Sequence, residues 1–282
     1  MKVGLGAINS PDEGFLRFAK QLGVEHVIMH WPELPGDGYW EFQGLLRLRT
    51  LVESYGLKLE AIENLPHDHY DKILEGNPGR DEQIVKVGKT ITNMARAGIP
   101  ILGYHFMLLS VWRTTSEAPT RGGARVTGYD HHLVERAAIS DLGEYNDETV
   151  WNNLEYFLKA VIPVAEREGL VMALHPDDPP VPKIAGVARI IRSIDAYKRV
   201  MEIVPSPSNC IEFCQGTISE MCSSADEVYD AIRYFGSRHK IAYVHFRNVS
   251  GSVPSFVETF IDDVYVDMLE AMRCYKEVGF DG

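Results

Sequence analysis

Glu168-Gly169-Leu170-Val171-Met172-Ala173-Leu174-His175 decides the fold. A helical stretch ends at a glycine, and a short apolar run follows. Glycine just past a helix adopts the left-handed backbone that stops the helix and releases the chain into a strand. The same grammar stands at Gln21-Leu22-Gly23 before residues 24–29, and at Tyr55-Gly56 before residues 57–62. It recurs at Ala97-Gly98 before residues 99–106 and at Val278-Gly279 before Phe280.

Read outward from these punctuation marks, strands fall near residues 2–8, 24–29, 57–63, 99–107, 170–175, 209–214 and 241–247. Helices fill the gaps near 12–22, 40–55, 81–97, 147–168, 193–204, 225–236 and 263–277. Strands alternating with helices of ten or more residues are parallel βαβ units. Seven units appear in order, and an eighth strand is expected to begin at Phe280. Eight units close a (β/α)8 TIM barrel. The expectation is therefore an α/β barrel spanning 1–282 as one domain, its eighth strand missing from the chain. A doubly wound sheet is the alternative. Gly4-Leu5-Gly6 lacks the third glycine that a dinucleotide fingerprint requires.

Two insertions interrupt the pattern. Residues 108–146 separate the fourth strand from its helix and include Arg121-Gly122-Gly123-Ala124-Arg125. A long loop after a barrel strand lies on the C-terminal face, where active sites are built. The second, residues 176–182, is dense in Pro and Asp.

Composition narrows the function classes. The 282 residues are 45% hydrophobic and 24% charged, ordinary for a globular protein. Forty acidic residues against 28 basic ones give a net charge of −12. That leaves no basic stripe for a phosphate backbone, so no nucleic-acid partner is expected. No apolar run approaches the 18 residues of a membrane span, so no membrane association is expected either. Cys210, Cys214, Cys222 and Cys274 form no small disulfide framework, and the Met1-Lys2-Val3-Gly4 start reads as a strand. Both point to the reducing cytoplasm.

The chemistry-bearing residues end three successive strands. Alternation puts Val171, Ala173 and His175 on one face of the fifth strand. It puts Cys210, Glu212 and Cys214 on one face of the sixth, and Ile241, Tyr243 and His245 on one face of the seventh. The last inward residues are then His175, Cys214 and His245. Two imidazoles and a thiolate at a barrel mouth make a divalent-metal site. His175-Pro176-Asp177-Asp178 places two carboxylates directly after the first ligand, suited to orienting a ligand or binding substrate hydroxyls. Arg247, in phase with His245, and Arg113 suit a substrate carboxylate, because the guanidinium fork binds it bidentately. Asn248 adjoins Arg247 as a further substrate contact, and Tyr104 and His105 are the in-chain options for proton transfer.

Three stretches resemble the mannonate dehydratase family: Ala173-Leu174-His175-Pro176-Asp177-Asp178-Pro179-Pro180, residues 209–216, and Val244-His245-Phe246-Arg247-Asn248-Val249 with Ser255-Phe256. Asn77-Pro78-Gly79-Arg80-Asp81, Phe106-Met107 with Trp112-Arg113-Thr114, and Val266-Asp267-Met268 resemble it more weakly. The resemblance implies a xylose-isomerase-like TIM barrel with a divalent metal, typically manganese. It also implies conversion of D-mannonate to 2-keto-3-deoxy-D-gluconate and water in hexuronate breakdown. By motif the implied metal ligands are His175, Cys214 and His245. The family has His-Glu after Ser-Phe where this chain has Val257-Glu258. It also carries a fourth, aspartate ligand on an eighth strand, expected to lie past Gly282. The expected partner is a small-molecule sugar acid, and the expected assembly a homo-oligomer. Other readings are a metal-dependent sugar isomerase or epimerase, whose ligand sets are carboxylate-rich with one His, and a non-catalytic sugar-acid-binding barrel.

Overall fold

The computed structural model describes residues 1–263 and 265–282, apart from the Ala7 side chain. In chain order the strands are β1 (Gly4–Ile8), β2 (His26–His30), β3 (Lys58–Glu63), β4 (Ile101–Tyr104), β5 (Thr115–Pro119), β6 (Arg125–Asp130) and β7 (Val171–Leu174). They continue as β8 (Lys183–Ile184), β9 (Val187–Ala188), β10 (Asn209–Cys214), β11 (Ile241–His245), β12 (Asn248–Val249) and β13 (Ser255–Thr259). The helices are α1 (Glu13–Gln21), α2 (Phe42–Ser54), α3 (Asp71–Glu75), α4 (Arg80–Ala97) and α5 (Asp147–Glu168). After them come α6 (Ile194–Ile203), α7 (Gln215–Met221), α8 (Ala225–Gly236) and α9 (Met268–Glu277).

Seven strands form one parallel sheet in the order β1-β2-β3-β4-β7-β10-β11. These are the seven strands expected from the sequence, four of them (β2, β3, β4 and β7) following a helix-ending glycine. The chain then returns to the open side. Gly282 accepts the backbone N–H of Lys2 at 2.8 Å, between the start of the chain and β11.

The helix ends follow from local chemistry. The Asn146 side chain accepts the Thr149 N–H at 2.8 Å and opens α5, and Gly169 at φ 70° closes it. Val150, Leu154, Phe157, Leu158, Val161, Ile162 and Ala165 are buried on α5 at helical spacing, and they pack into the main core. The last helix is shorter than the expected 263–277. Asp267 accepts from the N–H groups of Leu269 and Glu270, so α9 starts at Met268. Val264, inside the expected range, lies outside the described residues. The fourth strand is also shorter than expected, because its pairing stops at Tyr104.

The 108–146 insertion is not an irregular loop. Its strands β5 and β6 form a hairpin, and β6 pairs antiparallel with β13. With β12 this makes a four-stranded sheet built from the segments that follow β4 and β11. Tyr129, Val181, Ile184, Val249 and Phe256 form its own small core.

Candidate metal centre

Strand alternation turns one residue in two toward the barrel axis. Ala61, Ala173 and Tyr243 meet there in a small cluster of their own. Gly103 provides the room: a Cβ on it would lie 2.1 Å from the Tyr243 hydroxyl and 2.8 Å from Glu63 Cβ. Above this layer the structure brings His175, Cys214 and His245 together, with one ligand atom of each within 4.8 Å of the others. The parallel register sets Cys214 beside His245, because β10 and β11 pair Cys214 with His245 and Glu212 with Tyr243.

A second group shares His245. Glu63, Glu212 and His245 also present ligand atoms within 4.8 Å of one another. Glu63 ends β3, and its Oε2 lies 2.9 Å from His245 Nε2 and 3.0 Å from the Tyr243 hydroxyl. Glu212 Oε1 is 3.0 Å from His245 Nδ1 and 3.7 Å from His175 Nε2, and Oε2 contacts the Tyr243 hydroxyl. Both carboxylates are buried, and the Tyr243 hydroxyl and the His245 ring lie between them. Sequence reasoning left Glu63 unnamed and noted Glu212 only as a phase mate of Cys214. The usable signal was alternation, which puts Glu63 in phase with Ala61 and Glu212 in phase with Cys214.

The electrostatics show what the pocket demands. Burial opposes ionisation of Glu63, but hydrogen bonds from His245 and His30 outweigh it and hold the carboxyl well below its usual range. Burial also disfavours a charged His175, yet Glu212 and Cys214 pull its pKa up to about 9. Burial would raise the Cys214 thiol, but His175, His245 and Arg247 hold it far below its ordinary value. The thiol is therefore poised as a thiolate, the form that ligates metals. Glu212 Oε1 is a buried acceptor without a hydrogen-bond partner. Two imidazoles, a thiolate and an orphaned carboxylate oxygen are a donor set that a divalent cation fits.

The remaining expected site residues divide. Arg113 and Arg247 sit beside the cluster but are already paired. Arg113 grips Asp178 through both Nη atoms, at 2.5 and 2.8 Å. Arg247 contacts Glu220, and lies 3.4 Å from Asp178 and 3.2 Å from Glu258. Its Nη1 also reaches Cys214 Sγ at 3.5 Å. Burial opposes ionisation of Asp178, but Arg247 and Arg113 hold its carboxyl well below the ordinary range. Burial and the neighbouring Asp178 push Glu220 well above it. Asp177 accepts the Ile191 N–H at 2.6 Å, and Asn248 donates to the carbonyls of Asp263 and Val266. Both of these fix backbone. Arg189, also missed from sequence, binds the carbonyls of Asp178 and Ser110 and ties the two insertions together.

His105 follows β4 on the inward phase, next to β7, which leads into His175. It pairs with the Tyr70 hydroxyl at 3.0 Å and accepts the Met107 N–H at 3.2 Å. Burial and the nearby His175 push its pKa down to about 3, so the ring is neutral. Tyr104 does not reach the centre. Its ring packs on Phe157 of α5 at 5.7 Å, in the layer between sheet and helices, and it is fully buried. Adjacent strand residues face opposite sides, so Tyr104 and His105 cannot both point inward.

Fold and site together define an α/β barrel with a cluster of candidate metal-ligand side chains at the C-terminal ends of its strands. The family model for D-mannonate dehydratase (UxuA) matches residues 9–146 and 136–282. The chain belongs to that family. It is 32% identical to the mannonate dehydratase of Thermotoga maritima, over 92% of this chain and 81% of that protein. It is 28% identical to mannonate dehydratase 2 of Halalkalibacterium halodurans, over 100% of this chain and 88% of that one. The solved mannonate dehydratase of Streptococcus suis superposes with a TM-score of 0.87 at 28% identity, covering 100% of this chain and 82% of that one. A xylose isomerase domain protein of Planctomyces limnophilus shares the fold, with a TM-score of 0.63 at 13% identity. The barrel is thus of the xylose-isomerase-like TIM type.

Proposed function

We propose that this protein is a metal-dependent hydro-lyase that converts D-mannonate to 2-keto-3-deoxy-D-gluconate and water in hexuronate breakdown. The observation that carries the reading is the convergence of His175, Cys214 and His245 at adjacent strand ends in a chain of this family. These three residues would hold the divalent ion, Mn2+ by the resemblance. When bound, the ion supplies Lewis acidity to the substrate carboxylate and its neighbouring hydroxyl.

The chain's own groups divide the rest of the work. Loss of water across C2 and C3 needs a C2 proton removed and the departing C3 hydroxyl protonated. His105, neutral and linked to Tyr70, is the proton carrier assigned to this step. Arg113 and Arg247 set the potential at the rim while fixed by Asp178, Glu220 and Glu258. Asp177 and Asn248 shape the substrate pocket through the backbone they hold.

The Glu63–Glu212–His245 group is the carboxylate-rich type expected of a sugar isomerase or epimerase. The thiolate of Cys214 and the family membership favour the dehydratase. Incubation with D-mannonate and Mn2+ separates the two. Formation of a 2-keto-3-deoxy acid is expected; an epimeric sugar with no keto-deoxy product would overturn the reading. We further propose a cytoplasmic homo-oligomer acting on free sugar acids, with neither nucleic acid nor membrane as partner. Among the described residues no helix is long and apolar enough to cross a membrane.

A further inference from the structure

Alternation divides β2 into two faces. Val27 and Met29 are buried in the main core, between the sheet and the helices. Ile28 and His30 take the inward phase, and Ile28 packs against the interior cluster of Ala61, Ala173 and Tyr243. By the same alternation Trp31, the next residue, belongs with Val27 and Met29. Its backbone turns instead. Its φ is 27°, a left-handed conformation that bulky residues avoid, and it precedes Pro32, which favours extended backbone. The turn leaves Trp31 44% exposed, with its ring centroid 4.2 Å from that of His30.

His30 shows which side of the sheet the indole occupies. His30 Nδ1 lies 3.5 Å from Glu63 Oε1, and Glu63 reaches His245 across the barrel interior. The Trp31 N–H donates to the Glu63 carbonyl at 2.8 Å and holds the turn. An exposed aromatic face therefore stands at the barrel mouth. The candidate ligands belong to the ends of β7, β10 and β11, and β2 lies three strands from β7 in the sheet order. A sugar acid held by its carboxylate end at those strands runs its remaining carbons toward the β2 side. The C–H bonds of such a chain pack on the electron-rich face of an indole.

We infer that Trp31 is a substrate-binding residue, its indole forming the wall on which the carbon chain of the sugar acid packs. The inference rests on the dehydratase reading above. The unfavourable backbone is kept because it carries the ring to the mouth.

Steady-state turnover of D-mannonate by the Mn2+-loaded full chain, with thermal melting beside it, is the test. Trp31→Gly deletes the ring and relieves the backbone. It should raise KM roughly five- to tenfold, the scale of one aromatic contact. The fall in kcat should be less than about threefold, because the contact is made alike in ground and transition states. Melting should drop by no more than about 3 °C, since relief of strain offsets a freer unfolded chain. Trp31→Phe keeps a flat ring and should bring KM back to within about threefold of wild type. An unchanged KM in Trp31→Gly, or no recovery in Trp31→Phe, would overturn the assignment alone. A wild-type chain that forms no 2-keto-3-deoxy acid would sink the dehydratase reading and this inference with it. Altered melting or oligomeric mass at an unchanged KM would make Trp31 a structural or interface residue instead.

Discussion

Two charge clusters meet at Cys214, and they are satisfied to different degrees. On one side Glu63 and Glu212 share the hydroxyl of Tyr243, and Glu212 keeps an orphaned oxygen toward His175 and His245. On the other side Arg113 and Arg247 hold Asp178, Glu220 and Glu258. Among the described residues the carboxylates of the first half face only imidazoles and a phenol, and its thiolate alone touches a guanidinium, that of Arg247. The second has nearly as many cations as anions, and burial presses Glu220 toward its neutral form. A closed network fixes the shape of the rim; an open one demands a ligand. Substitutions in the two halves should therefore fail in different ways.

The largest effect belongs to the closed half. Arg247→Met should destabilise the fold by about 3–5 kcal/mol, the usual result of removing one partner from a buried ion pair. Urea unfolding measures this, and a loss under about 1 kcal/mol would show the network to be dispensable. In the open half, Cys214→Ser should lower Mn2+-supported turnover about 100-fold or more, a barrier increase near 2.7 kcal/mol. Its metal-free urea midpoint should stay close to that of wild type. Equal damage to turnover and stability would erase the contrast between the halves.

A pH experiment probes the closed half more gently. The folded carboxyl of Asp178 is depressed by Arg247 and Arg113 against the opposing pull of burial. Its stabilisation is thus fully present above the unfolded value of about 3.9 and lost as pH falls through the depressed folded value. Arg113→Gln should move the acid-unfolding midpoint upward, followed by circular dichroism. An unchanged midpoint would mean that Arg247 alone controls Asp178. The smallest effect is expected at Tyr104→Phe. The Tyr104 hydroxyl is buried without a partner, so its removal should leave turnover unchanged and stability within about 1 kcal/mol. A tenfold fall in kcat would return Tyr104 to the site.

The barrel was legible because its signals are local. Gly169 ends α5 by its own backbone freedom, and Asn146 starts it by its own side chain. His175, Cys214 and His245 were legible because strand phase and chain order suffice when neighbours in sequence are neighbours in the sheet. Glu63 joins the centre from β3, and its contact with His245 spans the barrel interior, which no local pattern records. Glu220 and Glu258 reach Arg247 from a short helix and from the antiparallel sheet, in segments to which the sequence reading gave no element. The pairing of β6 with β13 depends on a contact between segments more than a hundred residues apart. Tyr104 was misplaced for the opposite reason. Its phase was readable, since Gly103 and His105 face inward around it, and alternation should have excluded it.

The measurement that bears most directly on the central claim follows turnover and metal content in one sample. Protein stripped with a chelator is titrated with Mn2+ in the presence of D-mannonate, while 2-keto-3-deoxy acid is quantified. The account gives no product in the stripped protein and product rising with Mn2+ until the His175–Cys214–His245 site is filled. It also gives no recovery in His175→Ala. Undiminished product after stripping, or full recovery in His175→Ala, would contradict it.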